Sequence, residues 1–125
     1  MDSPILEQVL GNVVGSPTNL YTVPIRAAVA HDLVEVSPSA VVRNTVATVN
    51  SIIVCAQAAS AYTIWLVPED DTRTADNLIF DAIPIGANDT DVIHLGLVLP
   101  AGTEIDVSCT VLNDISFTLN GIETT

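Results

Sequence analysis

The sequence predicts an all-β protein, a single antiparallel β-sandwich of about eight strands, either a jelly roll or immunoglobulin-like. Three observations support this. Apolar and polar residues alternate with period two in several runs. Turn-forming residues separate these runs at short, fairly even spacing, and only one short stretch has a helical pattern. Periodicity identifies strands but not their order, so both topologies stay open.

The first residues predict either a short helix or an extended arm. In the helical form Ser3 would be the cap, Pro4 would occupy the first helical position and Gly11 would end the helix. So short a helix has marginal stability in water unless it packs against a surface. In either form, helical or extended, we expect the segment to be a partner-binding arm. We therefore divide the chain into residues 1–24, the N-terminal arm and first strand, and residues 25–125, the β-sandwich. The candidate partner-binding residues are Ile5, Leu6, Val9, Leu10, Leu20 and Tyr21.

Prolines interrupt the next part of the chain. A strand at Leu20–Val23 is stopped by Pro24, a second is predicted at Leu33–Val36, and a weaker one at Ala40–Arg43. Because proline cannot donate to a strand ladder, these segments are predicted to be edge strands or an excursion between strands.

Two longer apolar runs follow. Val46–Gln57 is continuously apolar in its second half, which predicts a central strand covered on both faces. Ala61–Val67 is the next strand and ends at Pro68. Trp65 falls on the face opposite Tyr62, where burial in a packed surface is favoured over a sugar-stacking platform.

The remaining elements are shorter. An acidic loop at Glu69–Asn77 precedes a strand at Leu78–Ile83 that Pro84 closes. Asp91–Leu99 is a further strand, followed by a type I turn at Leu99–Gly102. The apolar face of Asp91–Leu99 comprises Ile93, Leu95 and Leu97.

The clearest alternation lies near the C-terminal end. Odd positions are apolar over Ile105–Val111 and again over Ile115–Leu119, and Asn113-Asp114 lies between the two runs. Asn and Asp tolerate the positive φ that a tight turn needs. The pattern predicts an antiparallel hairpin with one buried face.

Charge excludes several partners. The chain has fifteen acidic residues, three arginines and no lysine, for a formal charge of −12. Phosphate backbones and acidic membranes would repel it, which excludes nucleic acid and membranes as partners. Only 14% of the residues are charged and 49% are apolar, which indicates that copies of the chain or another protein cover part of its surface.

The sequence predicts no enzyme, no cofactor and no bound metal. Its only histidines are His31 and His94, and no nucleophile elbow, phosphate loop or dinucleotide fingerprint is present. The acidic residues of the Glu69–Asn77 loop do not have the spacing of a helix-loop-helix calcium site, so we expect them to be solvated. Cys55 and Cys109 are predicted to be two buried thiols, with a disulfide between them as the alternative.

The order of segments resembles a family of small virion structural proteins of tailed bacteriophages. The matching stretches are Leu20–Pro24, Ser51–Cys55, Ala61–Ile64, Ile85–Thr90, Leu95–Ile105, Ile115–Phe117 and Gly121–Glu123. The resemblance extends over about two-thirds of the chain, mostly after Thr45, and its matching stretches consist of strands and turns. Between Ile25 and Asn44 the chain departs from the family pattern, which puts the match of the first strand in doubt.

The resemblance implies a structural component of the phage head or tail. The leading hypothesis is a capsid cement, or decoration, protein that binds the outside of the assembled phage head and stabilises it. Its expected partners are the major capsid protein and further copies of itself, as a dimer or a trimer. It would be made in the host cytoplasm and reside on the capsid surface. The alternative is a tail, baseplate or fibre-associated structural protein that contacts host glycans.

Overall fold

The computed structural model describes residues 2–25 and 45–124. The strands predicted at 33–36 and 40–43, together with His31, lie outside these residues. Within them the elements are β1 (Asp2–Leu10), β2 (Thr18–Thr22), β3 (Val46–Ala56), β4 (Ser60–Val67), a 3₁₀ turn (Ala75–Asn77), β5 (Leu78–Ile85), β6 (Thr90–Leu99), β7 (Glu104–Cys109) and β8 (Ile115–Thr124).

The described strands form two four-stranded antiparallel sheets. The first sheet has the order β1-β8-β3-β6 and the second has the order β2-β7-β4-β5. Strand β1 therefore pairs with β8, β2 with β7, β3 with β6 and β4 with β5. This is the connectivity of one long hairpin wound around itself, the eight-stranded jelly roll. The predicted β-sandwich is confirmed, and the strand order selects the jelly roll over the immunoglobulin arrangement.

The core lies between the two sheets. Ile52 and Phe117 of the first sheet and Ile64 and Ile105 of the second are fully buried. The ring of Phe117 meets the edge of Tyr62 across the core, with centroids 6.2 Å apart and planes at 79°. Edge-to-face contact suits the aromatic quadrupoles, so this pair helps to hold the sheets together.

The N-terminal segment is a strand, so its helical alternative is wrong. β1 pairs with β8 over its whole length, from Asp2 opposite Thr124 to Leu10 opposite Ser116. Pairing with the exposed edge of β8 satisfies the backbone groups of β1 and buries Ile5. A helix of this length would have too few internal hydrogen bonds to compete.

The predicted closing hairpin is also wrong. β7 belongs to the second sheet and β8 to the first, so their apolar faces meet across the core and the strands are not hydrogen-bonded to each other. Both buried faces and the turn at Asn113, with φ of 62°, agree with the sequence pattern. Alternation specifies which side of a strand is buried, but it does not specify the neighbouring strand.

Strand β3 is central, as predicted, but the described part of the chain packs a second sheet against only one of its faces. It lies between β8 and β6, and its exposed residues are Val46 and Cys55 on the outward side and Asn50 at the register shift. The prediction of two buried thiols is therefore wrong for Cys55 and correct for Cys109, and both are free, so they form no disulfide. The Cys109 thiol donates to the carbonyl of Val111 at 2.8 Å, and burial raises its pKa.

Candidate functional site

The outward side of the first sheet is the candidate site, and we call it the outer face. It consists of the even-numbered residues of β1, β6 and β8, together with Val46, Thr48, Ser51, Ile53 and Cys55 of β3. Residues that lie opposite one another in register point to the same side of a sheet. The pairings of β8 with β1 and β3, and of β3 with β6, therefore place these side chains on one surface.

The outer face carries almost no charge. Of the fifteen carboxylates, Asp32 and Glu35 lie outside the described residues, and of the others only Asp2, at a corner, belongs to this face. Arg73 lies over the second sheet. Because like charges facing a partner oppose association, this is the side of an acidic molecule that another protein approaches without repulsion.

The outer face also exposes apolar side chains. The exposed fraction is 75% for Leu6, 67% for Val98, 55% for Leu10 and 51% for Val92. Val46 and Ile122 are exposed on the same face, and the other large exposed apolar residues of the described chain lie outside the strands. Most of the exposed large apolar side chains of the described residues are therefore on one face, interspersed with Ser, Thr and Asn, and such a concentration is typical of a protein-binding site.

The structure separates the six predicted partner-binding residues. Leu6 and Leu10 are on the outer face, whereas Ile5, Leu20 and Tyr21 are buried in the core of the chain itself and Val9 is half-buried. Alternation along β1 accounts for the split within that strand, since it sends successive residues to opposite sides.

Sequence reasoning missed the contributions of β6 and β8. Val92 and Val98 fall on the side of β6 opposite to the core face of Ile93, Leu95 and Leu97. These two valines on the otherwise polar side of β6 were the sequence signal that could have indicated an exposed apolar surface. Ile122, on β8, carried no comparable indication because it follows Gly121 at the end of the strand.

The outward side of the second sheet is organised by a buried ion pair. Asp106 is only 2% exposed, and its Oδ2 accepts a hydrogen bond from Nη1 of Arg73 at 2.7 Å. The Nδ2 of Asn19 donates to Oδ1 of the same carboxylate at 3.0 Å. The guanidinium carbon of Arg73 lies 5.5 Å from the ring centroid of Trp65, so arginine occupies the ring face that a sugar would stack on.

The acidic loop does not form a metal site. Among the described residues, no group of three or more His, Cys, Asp or Glu side chains is arranged to hold a metal ion. Instead, Thr74 and Asn77 make a capping box around the 3₁₀ turn. The loop supplies Arg73 to Asp106, which attaches it to the second sheet.

Both tyrosines of the chain donate their hydroxyl hydrogens to carboxylates. The hydroxyl of Tyr21 bonds to Oε2 of Glu123, and that of Tyr62 bonds to Oδ2 of Asp91 at 2.9 Å. Burial, followed by the hydrogen bond to the carboxylate, raises the pKa of each tyrosine hydroxyl far above its usual value of about 10. Each pair links a strand of the first sheet to one of the second.

These tyrosines predict a loss of stability at alkaline pH. Above a pH of about 10 the unfolded chain releases tyrosine protons that the folded chain retains, so the free energy of unfolding falls by about 1.4 kcal/mol per pH unit for each tyrosine. Below that pH neither state ionises, and the tyrosines contribute no pH dependence. Urea unfolding at several pH values should show this fall in the wild type and a much smaller one in the Y21F/Y62F variant. Because Cys109 is present in both proteins, the difference between their pH dependences measures the contribution of the two tyrosines. An equal loss of stability at alkaline pH in both proteins would contradict the raised pKa of the tyrosines.

Comparison with known proteins identifies no family. No family model matches the chain, and no curated protein matches it. A chain of the structure of infectious bursal disease virus Gt strain matches 98% of this chain with 11% identity and a TM-score of 0.43. A chain of the Gx strain structure also matches 98%, with 14% identity and a TM-score of 0.40. The present chain spans 31% and 28% of those two chains.

The described residues contain no helix that is long and apolar enough to cross a membrane.

Proposed function

We propose that this protein is a virion structural protein, a capsid cement protein that binds the outside of an assembled phage head through the outer face. The observation that carries the proposal is the outer face itself, a four-stranded surface with exposed Leu6, Leu10, Val92 and Val98 and one carboxylate at its corner. The jelly roll is a recurrent architecture of viral capsid domains, and the resemblance to phage virion proteins supports the same class. Because one fold serves many functions, the proposal rests on the outer face and not on the fold.

The proposed mechanism is binding without chemistry. A protein that binds the assembled shell, and not its free subunits, stabilises the shell by mass action. Burial of the apolar side chains of the outer face supplies free energy of about 25 cal/mol for each Å² removed from water. Many copies on one particle would turn a modest contact into a stable coat. The acidic surfaces remain outside, where their charge keeps particles apart in solution.

A sedimentation assay with assembled shells of the phage that encodes the chain tests the proposal. The L6D/L10D variant places two carboxylates on the outer face at side chains that are already exposed. It is expected to remain folded and to bind shells at least about tenfold more weakly, a change of about 1.4 kcal/mol.

The matched control is V14D/L112D, which adds the same charge at exposed apolar residues outside the outer face. It should sediment with shells as the wild type does. Equal binding by both variants would contradict docking through the outer face. Quantifying the protein in purified particles separates a cement, with hundreds of copies expected from a symmetric shell, from a tail component with a few dozen or fewer.

A further inference from the structure

Among the described strands, β6 is an edge strand that has neither proline nor short length nor several charges to discourage pairing. The other edges of the two sheets are β1, which contains Pro4 and Glu7, β5, which contains Pro84 and Asp81, and the five-residue β2. Proline, charge and short length each discourage a second strand from adding to an edge. β6 has ten residues, no proline and one charged residue, Asp91 at its beginning. Its pairing with β3 contains a bulge, in which Leu95 and Gly96 of β6 lie opposite the single residue Asn50. The alternation of exposed and half-buried residues along β6 continues through this bulge.

The core is incompletely closed on the side of β6. Eight apolar residues of the described chain pack against the core while remaining half-buried, and most of them lie on β5 and β6. Those of β6 are Ile93, Leu95 and Leu97, and those of β5 are Ile79, Phe80 and Ile83. β1 contacts β2 at the opposite side of the sandwich, so β5 and β6 share this side. Apolar surface is therefore available along the same edge, whose backbone groups pair with no described strand other than β3.

The sequence of β6 is nearly symmetric about Leu95. It runs V-I-H-L-G-L-V from Val92 to Val98. An antiparallel pair of β6 strands related by a twofold axis at Leu95 would match valine with valine, isoleucine with leucine and histidine with glycine. The pairs, in one copy and the other, are Val92 with Val98, Ile93 with Leu97, His94 with Gly96, and Leu95 with Leu95. Cross-strand aliphatic pairs stabilise antiparallel sheets, and the glycine leaves room for the imidazole.

Charge favours this pairing over the alternatives. In the twofold register Asp91 falls opposite Leu99 of the second copy, so no carboxylate of β6 faces another carboxylate. Self-pairing of β1 or β5 would bring Asp2, Glu7 or Asp81 into the joint between two molecules of charge −12. Like charges at a joint oppose association, so the β6 edge is the one suited to a second copy of this chain.

We propose that the protein forms a twofold-symmetric dimer in which two β6 strands pair and the first sheets join into one eight-stranded sheet. Ten residues of strand are about 33 Å long, and a sandwich edge is about 15 Å thick, so the joint buries on the order of 1,000 Å² in total, which a specific interface requires. The interface is isologous, because β6 supplies both halves. The outer faces of the two copies become one continuous surface. The dimer does not depend on capsid binding, and it is testable in the free protein.

Light scattering of the purified full chain, combined with a pair of charge variants, tests the dimer. The wild type should have twice the monomer mass of 13.1 kDa. V92D/V98D places carboxylates opposite each other at two symmetric positions and should raise the dimer dissociation constant at least about tenfold. V92D/V98K changes the same exposed side chains but places a carboxylate opposite an ammonium, and it should restore the dimer.

Two controls make the result decisive. Circular dichroism should show that both variants are folded, since both side chains are more than half exposed. L6D, at the far edge of the first sheet, should leave the dimer intact. A monomeric wild type would overturn the proposal. It would do so also if hydrogen exchange showed that the β6 amides are protected, because another segment of the same chain would then be pairing with this edge. A dimer that survives in V92D/V98D, or one that V92D/V98K does not restore, would also overturn it.

Discussion

Replacing Gly121 with alanine is expected to destabilise the fold by at least about 3 kcal/mol, because the added methyl group has no space. A Cβ on Gly121 would lie 2.2 Å from the carbonyl oxygen of Thr48 and 3.1 Å from the Cα of Val49. These atoms belong to the backbone of β3, which pairs with β8 opposite Gly121. Relief would require the two central strands of the first sheet to move apart. Urea unfolding followed by circular dichroism measures the effect.

The matched control is the same substitution at Gly96 in the same sheet. A Cβ there would have no heavy atom within 4 Å, and the backbone is not in the left-handed region. G96A should change the free energy of unfolding by less than about 1 kcal/mol, and the lower entropy of the unfolded alanine chain favours stabilisation. Similar unfolding midpoints for G121A and G96A would contradict the close approach of β8 to β3.

Replacing Arg73 with methionine is expected to cost about 2 kcal/mol, since it leaves the buried carboxylate of Asp106 without its cation. The arginine side chain is 36% exposed and that of Asp106 is 3% exposed. The exposure of Arg73 lets solvent replace part of the lost interaction, so we place the effect below that of a fully buried pair. Methionine retains an apolar stem against Trp65. The free energy of unfolding in urea, compared with that of the wild type, measures the loss.

The double variant R73M/D106N shows how much of the stability lost in R73M is due to the unpaired negative charge of Asp106. Asparagine at position 106 retains an oxygen that can accept from Asn19, but it removes the uncompensated negative charge. R73M/D106N should therefore be more stable than R73M, even though it carries a second substitution at the same site. If R73M is the more stable of the two, the ion pair does not account for the cost, and the lost contact of the guanidinium with the Trp65 ring becomes the cause.

Local sequence pattern predicted the strands well where one face is buried. Ile115, Phe117 and Leu119 alternate with polar residues, and the structure buries these three completely. The turn at Asn113 also has the backbone conformation that its residue type favours. The helix considered for the first residues had a cap and a proline in suitable positions, yet the segment is a strand. Pairing with β8 outweighs such local preferences, because it satisfies a whole row of backbone groups at once.

The candidate site was predictable only in part. Leu6 and Leu10 were singled out, but so were Ile5, Leu20 and Tyr21, which are buried. Apolar character does not separate core residues from binding residues until the two faces of a strand are known. The low charge of the outer face also depends on placement, since the face combines residues of β1, β3, β6 and β8 that are far apart in the chain.

The amino-acid sequence by itself determined the fold class of this protein, an all-β sandwich with period-two strands and turns at Asn, Pro and Gly, and its acidic net charge. Those properties follow from side-chain alternation, local backbone preferences and the count of charges, all of which are local or additive. Only the tertiary structure decided that β7 and β8 face each other across the core, that β1 pairs with β8 in the first sheet and that β6 is an edge among the described strands. The choice of neighbouring strand depends on contacts between residues far apart in sequence, so it decides which surface is low in charge and available to a partner.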